Sequence, residues 1–129
     1  MGLDMYLHAS KRNAENAEPE EAIYWRKANA IHGWFGKNVC KEEGVEGGIA
    51  NCKDYAVSRE KLVELRDTIR VAVETRDTSL LPPTSGFFYG STEVDEGYWI
   101  DLNWTANRVD AVLSEYNEED WEFEYWAWW

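Results

Sequence analysis

The amino-acid sequence predicts an α+β domain in which a small antiparallel sheet packs against about three helices. Two stretches of strict alternation stand near the chain ends, Leu3 to Leu7 and Trp121 to Trp129, and stretches of helical spacing lie between them. No internal repeat or low-complexity tract interrupts this order. At 129 residues the chain reads as one domain, 1–129, long enough to bury about two thirds of its unfolded surface without staples.

Leu3, Met5 and Leu7 alternate with Asp4, Tyr6 and His8, the period of a half-buried strand. Pro19 followed by Glu20 and Glu21 predicts a helix start, because proline fits the first turn and acids complement the helix dipole. That helix is expected to run through YWRKANAIHGWF, Tyr24 to Phe35. At roughly 100° per residue, Ile23, Tyr24, Ala28, Ala30, Ile31, Trp34 and Phe35 share one apolar arc. Trp25, Asn29 and His32 lie beside the arc, and Arg26 on its far side. The helix should end near Gly36 to Asn38, followed by a weakly ordered loop containing Gly44, Gly47 and Gly48.

Tyr55 to Val57 reads as a short strand, and Ser58 as the cap of a second helix whose buried stripe is Leu62, Leu65, Ile69, Ala72 and Val73. Arg59, Arg66 and Arg70 lie off that stripe and are expected to be solvated or paired with Glu64 and Glu74. Pro82 and Pro83 end the helical region. Phe87 to Tyr89 reads as a short aromatic strand between Gly86 and Gly90, with Ser85, Ser91 and Thr92 at its ends. A third helix is expected from Asp95 or Glu96, burying Tyr98, Leu102, Ala106, Val109, Leu113 and Tyr116. In the last strand Trp121, Phe123, Tyr125, Ala127 and Trp129 alternate with Glu122, Glu124, Trp126 and Trp128. Its end must therefore be covered on both faces or expose indole.

The net charge is −12, and it is uneven. Residues 1–76 hold twelve basic against thirteen acidic side chains, whereas 77–129 hold only Arg108 against twelve acids. Such a field repels phosphate backbones, which argues against direct nucleic-acid binding and suits a basic partner. No window has the apolar run of a membrane span, and MGLDMYLHASKR lacks the pattern of a secretory signal, so a soluble, cytoplasmic chain is expected. Cys40 and Cys52 then read as free thiols, and they lack the paired spacing of a metal site.

The strong catalytic signatures are absent: no phosphate loop, dinucleotide fingerprint, HExxH, GxSxG or CxxC. The residues that invite a ligand are Trp25, Phe88 and Tyr89 as flat faces, Arg26 and Lys27 as anion contacts, and Asn29, Ser85, Ser91 and Thr92 as neutral hydrogen-bonding groups. His32 can add either kind of contact. Equally, Trp25 and His32 can be packing residues beneath the third helix. A second set, Glu118, Glu119 and Asp120 with Trp126, Trp128 and Trp129, reads as a candidate protein interface.

Taken in order, MGLDMYL, YWRKANAIHGWF, SGFFYGST and the aromatic strand ending in tryptophan resemble a widespread family of small phage and prophage proteins. The glycine-rich stretch from Val39 to Asp54 departs from that pattern. The resemblance implies a phage origin inside a bacterial host cell, and by analogy of context a counter-defence role. Three readings follow. The first is an accessory protein, without catalysis or cofactor, that binds a small anionic, nucleotide-like ligand between the Trp25 to His32 flank and the Ser85 to Thr92 segment. The second is an acidic inhibitor of a basic host effector or nuclease, in imitation of DNA. The third is a small enzyme using His32.

Overall fold

Alternation at both ends of the chain becomes the centre of one sheet. In the computed structural model, which describes residues 2–129, β1 (Asp4–Lys11) pairs along its full length with β4 (Trp121–Trp128). β2 (Glu20–Arg26) flanks β1, and the short β3 (Tyr55–Val57) flanks β4, giving the order β2-β1-β4-β3 with every pairing antiparallel. Three helices, α1 (Asn29–Phe35), α2 (Arg59–Thr75) and α3 (Glu96–Glu115), complete the α+β architecture.

One sheet face carries the core. Leu3 precedes Met5, Leu7 and Ala9 of β1, and these are buried with Phe123, Tyr125 and Ala127 of β4 against Ile31 and Phe35 of α1, Leu65 and Ile69 of α2 and Leu102 and Val109 of α3. Each such side chain contributes about 1.5–3 kcal/mol on full burial. Ser58 Oγ caps α2 by accepting from Lys61 N, and Asp95 caps α3 by accepting from Tyr98 N. No helix among the described residues is long and apolar enough to cross a membrane.

The first expected helix is corrected. Residues Glu20–Arg26 form β2, and helix begins only at Asn29. Two periods are joined inside YWRKANAIHGWF: Ile23 and Trp25 point inward while Tyr24 and Arg26 point outward, and Lys27 then turns the chain with φ 55°. Aromatic and β-branched residues fit a strand, and β1 supplies the pairing partner that a window of sequence does not reveal. Leu7 pairs with Ile23 but His8 with Glu21, leaving Ala22 as a bulge. The bulged carbonyl accepts from Arg108 Nε and Nη2, at 3.1 and 2.9 Å. The lone base of the acidic half is thus committed to the sheet.

Three further expectations change. Phe87 to Tyr89 is a turn in which Tyr89 N donates to Gly86 O, and Phe87 is 93% exposed. Its one backbone bond toward the sheet among the described residues is donated by Leu3 N to Phe88 O, just before β1. Arg66 and Arg70 cross to Asp110 on α3 instead of reaching Glu64 or Glu74, Arg66 also meets its neighbour Asp67, and Arg59 donates to the Leu113 and Tyr116 carbonyls at the end of α3. The glycine-rich stretch is ordered: a π-helical turn, Gly36–Cys40, and a 3-10 turn, Glu46–Gly48, pack glycine against glycine. A Cβ on Gly36 would stand 2.2 Å from Gly47 O.

Candidate functional site

The predicted ligand-binding residues do not converge on a single cavity. Trp25 is only 4% exposed; its ring meets Phe35 and Tyr125, and its Nε1–H donates to Thr105 Oγ1 at 2.9 Å. It is a core residue because the strand register turns it toward α3. Arg26 lies on the opposite sheet face, where its Nη1 donates to Asp4 Oδ1 at 2.9 Å. The Tyr24 hydroxyl donates to the same oxygen at 2.6 Å, and this bond, more than Arg26, holds the Asp4 carboxyl below its ordinary range.

Asn29, at the start of α1, is spent on the chain itself. Its amide nitrogen donates to Tyr89 O and Ser91 O, and its oxygen accepts from Thr84 N. Three bonds from one buried side chain fasten the 84–91 segment to α1. Ser91 Oγ accepts from Glu93 N, Phe88 O accepts from Leu3 N, and Ser85 and Thr92 are exposed.

Two clefts are lined by residues of α1. The first, about 240 Å³, is lined by Arg26 and Lys27 together with Asn29, Glu93, Asp95 and Asp101. Burial and the neighbouring Asp95 push the Asp101 carboxyl upward. Opposite charges share this cleft, so it does not favour a phosphate-like anion.

The second cleft, about 360 Å³, is lined by His32, Gly33, Gly36, Lys37, Lys41, Gly47, Gly48, Ile49, Thr84 and Tyr89. That volume is at the small end of the ~300–1,000 Å³ of ligand sites. It has two lysines at its rim and no carboxylate in its lining. A Cβ on Gly33, Gly36 or Gly48 would strike Thr84, Gly47 O or Gly36 O, so of the four lining glycines only Gly47 is open to close approach, and Lys41 at φ 45° turns the chain out of the π-helical segment. Among the lining residues, only His32 and Tyr89 were legible as candidates. Lys37, Lys41 and the glycines lacked any motif linking them to His32.

A hydrogen-bond relay enters this cleft from the core. The Tyr125 hydroxyl is 2.6 Å from His32 Nδ1, and His32 Nε2 is 3.1 Å from the Tyr89 hydroxyl. Tyr125 is fully buried with no other partner for its proton among the described residues, so it donates to Nδ1. Neutral His32 then carries its hydrogen on Nε2 and donates to the Tyr89 oxygen. Tyr89 is left with its own O–H to give to a ligand acceptor. Burial lowers the His32 pKa to about 4, and burial followed by the charge of Glu46 raises that of Tyr89, so near neutrality both stay uncharged. With both ring nitrogens engaged and 1% exposure, His32 is poorly placed to exchange protons with a substrate.

The residues of the second predicted set separate as well. Glu118, Glu119 and Asp120 are exposed on a turn clamped by Arg12, whose Nε donates to Glu118 O and whose backbone N donates to Asp120 O. Trp126 and Trp128 face away from the helices. Trp129 turns inward and meets His32 and Tyr89 edge-on, with ring centroids at 5.1 and 5.6 Å. Cys40 and Cys52 are free thiols, and burial pushes Cys40 up to about 12, which leaves it protonated. Among the described residues no group of three or more His, Cys, Asp or Glu side chains is placed to hold a metal ion. No protein-family model matches the sequence, and no curated protein and no solved structure shows significant similarity to it.

Proposed function

We propose that the protein binds a small anionic, nucleotide-like ligand in the cleft between α1, the glycine-rich turn and Tyr89. The observation that carries this reading is the relay from Tyr125 through His32, which leaves the Tyr89 O–H as an uncommitted donor beside Lys37 and Lys41. Two ammonium groups and one hydroxyl donor suit a phosphate or a comparable oxyanion. The reading is capture rather than chemistry, because the one imidazole of the cleft, His32, has both ring nitrogens engaged with Tyr125 and Tyr89. Joined to the sequence resemblance, this is the behaviour of a phage accessory factor that sequesters a nucleotide signal of host defence.

Trp129 lies against Tyr89, so indole fluorescence reports occupancy directly. Titration with inorganic phosphate and with mononucleotides and cyclic dinucleotides should give a saturable change for at least one nucleotide. Lys37→Ala with Lys41→Ala should weaken that binding by about tenfold or more, as loss of charge-assisted contacts requires. No saturable response at millimolar probe, or equal affinity in the double variant, rejects the site. Where binding is found, failure of the double variant to support phage replication in a defended host would extend the result to counter-defence.

A further inference from the structure

The helices cover only one face of the sheet. The other bears a row of aromatic rings set by strand register, since Tyr6 pairs with Tyr24 on β2 and with Trp126 on β4. Their ring centroids are 5.1 and 5.7 Å apart. Asp4 sits in the neighbouring row between Arg26 and Trp128, and His8 in the other between Glu21 and Glu124. Tyr24 is 39% and Trp128 44% exposed, an expensive placement for large rings in a chain with an available core.

The charge around these rings is one-sided. Arg26 is held by Asp4, and Arg12 is 3.6 Å from Glu122. Glu21 and Glu124 have no ion-pair partner among the described residues. Burial, with Asp54 and Glu122 nearby, holds the Glu124 carboxyl above its ordinary range despite the opposing effect of His8. Flat rings beside unpaired carboxylates complement a guanidinium, which stacks on the ring and donates in-plane to the acid.

We propose that this open sheet face docks an arginine-bearing segment of a partner protein, with guanidinium groups stacked on Tyr6, Tyr24, Trp126 and Trp128 and paired with Glu21 and Glu124. A nucleic acid would stack on the same rings, but its phosphates would meet these carboxylates. A second copy would bring together two chains of charge −12. The face lies across the sheet from the His32 cleft, so either assignment stands or falls without the other.

The test uses the full chain with oligoarginine and oligolysine peptides of equal length, followed by fluorescence anisotropy. Oligoarginine should bind about fivefold tighter than oligolysine, because only the guanidinium both stacks and forks. Trp128→Ser and Tyr24→Ser should each weaken oligoarginine binding by about threefold or more, whereas Tyr24→Phe, which keeps the ring, should not. Changing Glu118, Glu119 and Asp120 to their amides should leave the arginine preference intact. Equal affinity for both peptides, insensitivity to both serine variants, or loss of the preference in the amide variant overturns the proposal. So does tighter binding of a single-stranded oligonucleotide, or a dimer in sedimentation equilibrium that Trp128→Ser dissolves. Circular dichroism of each variant confirms that the fold is retained, and Tyr24→Phe keeps the assignment testable if a serine variant unfolds.

Discussion

His32 joins core to cleft, and its protonation state ties folding to pH. Its pKa falls from 6.5 to about 4 because burial disfavours the imidazolium. Between those values the unfolded chain binds more protons than the folded one. The neutral-histidine contribution is therefore complete above about pH 6.5 and is lost as pH falls toward 4, on the order of 3 kcal/mol in all. Urea midpoints of the parent should fall across this window, and those of His32→Gln should fall less. Identical slopes would place the titration elsewhere. Trp25 shows the limit of reading residue types alone: indole beside arginine suggests a binding face, yet the register at Met5↔Trp25 turns the ring into the core.

At the scale of elements, the glycine-rich turn is built by backbone contact. Ala normally stabilises a helical position over Gly by about 1 kcal/mol, yet at Gly36 its Cβ would strike Gly47 O. Gly36→Ala should instead destabilise by roughly 1–3 kcal/mol, as overpacking does, with a lower Tm and faster proteolysis between Glu42 and Gly48. An unchanged or higher Tm would show that this turn yields freely. Gly33 differs, since a Cβ there would meet the Thr84 side chain, with Oγ1 at 2.1 Å, rather than backbone. Such contacts are invisible in sequence, where Gly44, Gly47 and Gly48 look like loop punctuation. The long helices α2 and α3 were legible because their stripes and caps persist over several turns. The α1 boundary was not, because a strand period and a helix period meet at Lys27 within one window.

In the whole molecule β4 is an interior strand, and its end supports both faces of the sheet. Deleting Trp126 to Trp129 removes the partners of Asp4, Met5 and Tyr6 and the Ala127 carbonyl that receives Cys52 N at 2.9 Å. It also strips Trp129 from His32 and Tyr89. The loss should reach ~5 kcal/mol or more, comparable with the whole stability of an ordinary domain, and should abolish a cooperative thermal transition. A truncated chain that melts like the parent would show that this strand end carries little of the fold. By itself, the sequence determined the α+β character, the terminal strands, two of the three helices and the acidic asymmetry, because these follow from local period and composition. Tertiary structure alone decided that Trp25 faces the core, that Arg26 and Trp128 share the open face, and that His32 meets Tyr89 and Tyr125. Those placements depend on strand register and on contacts between residues up to 124 positions apart, as Asp4 and Trp128 are, which no local window contains.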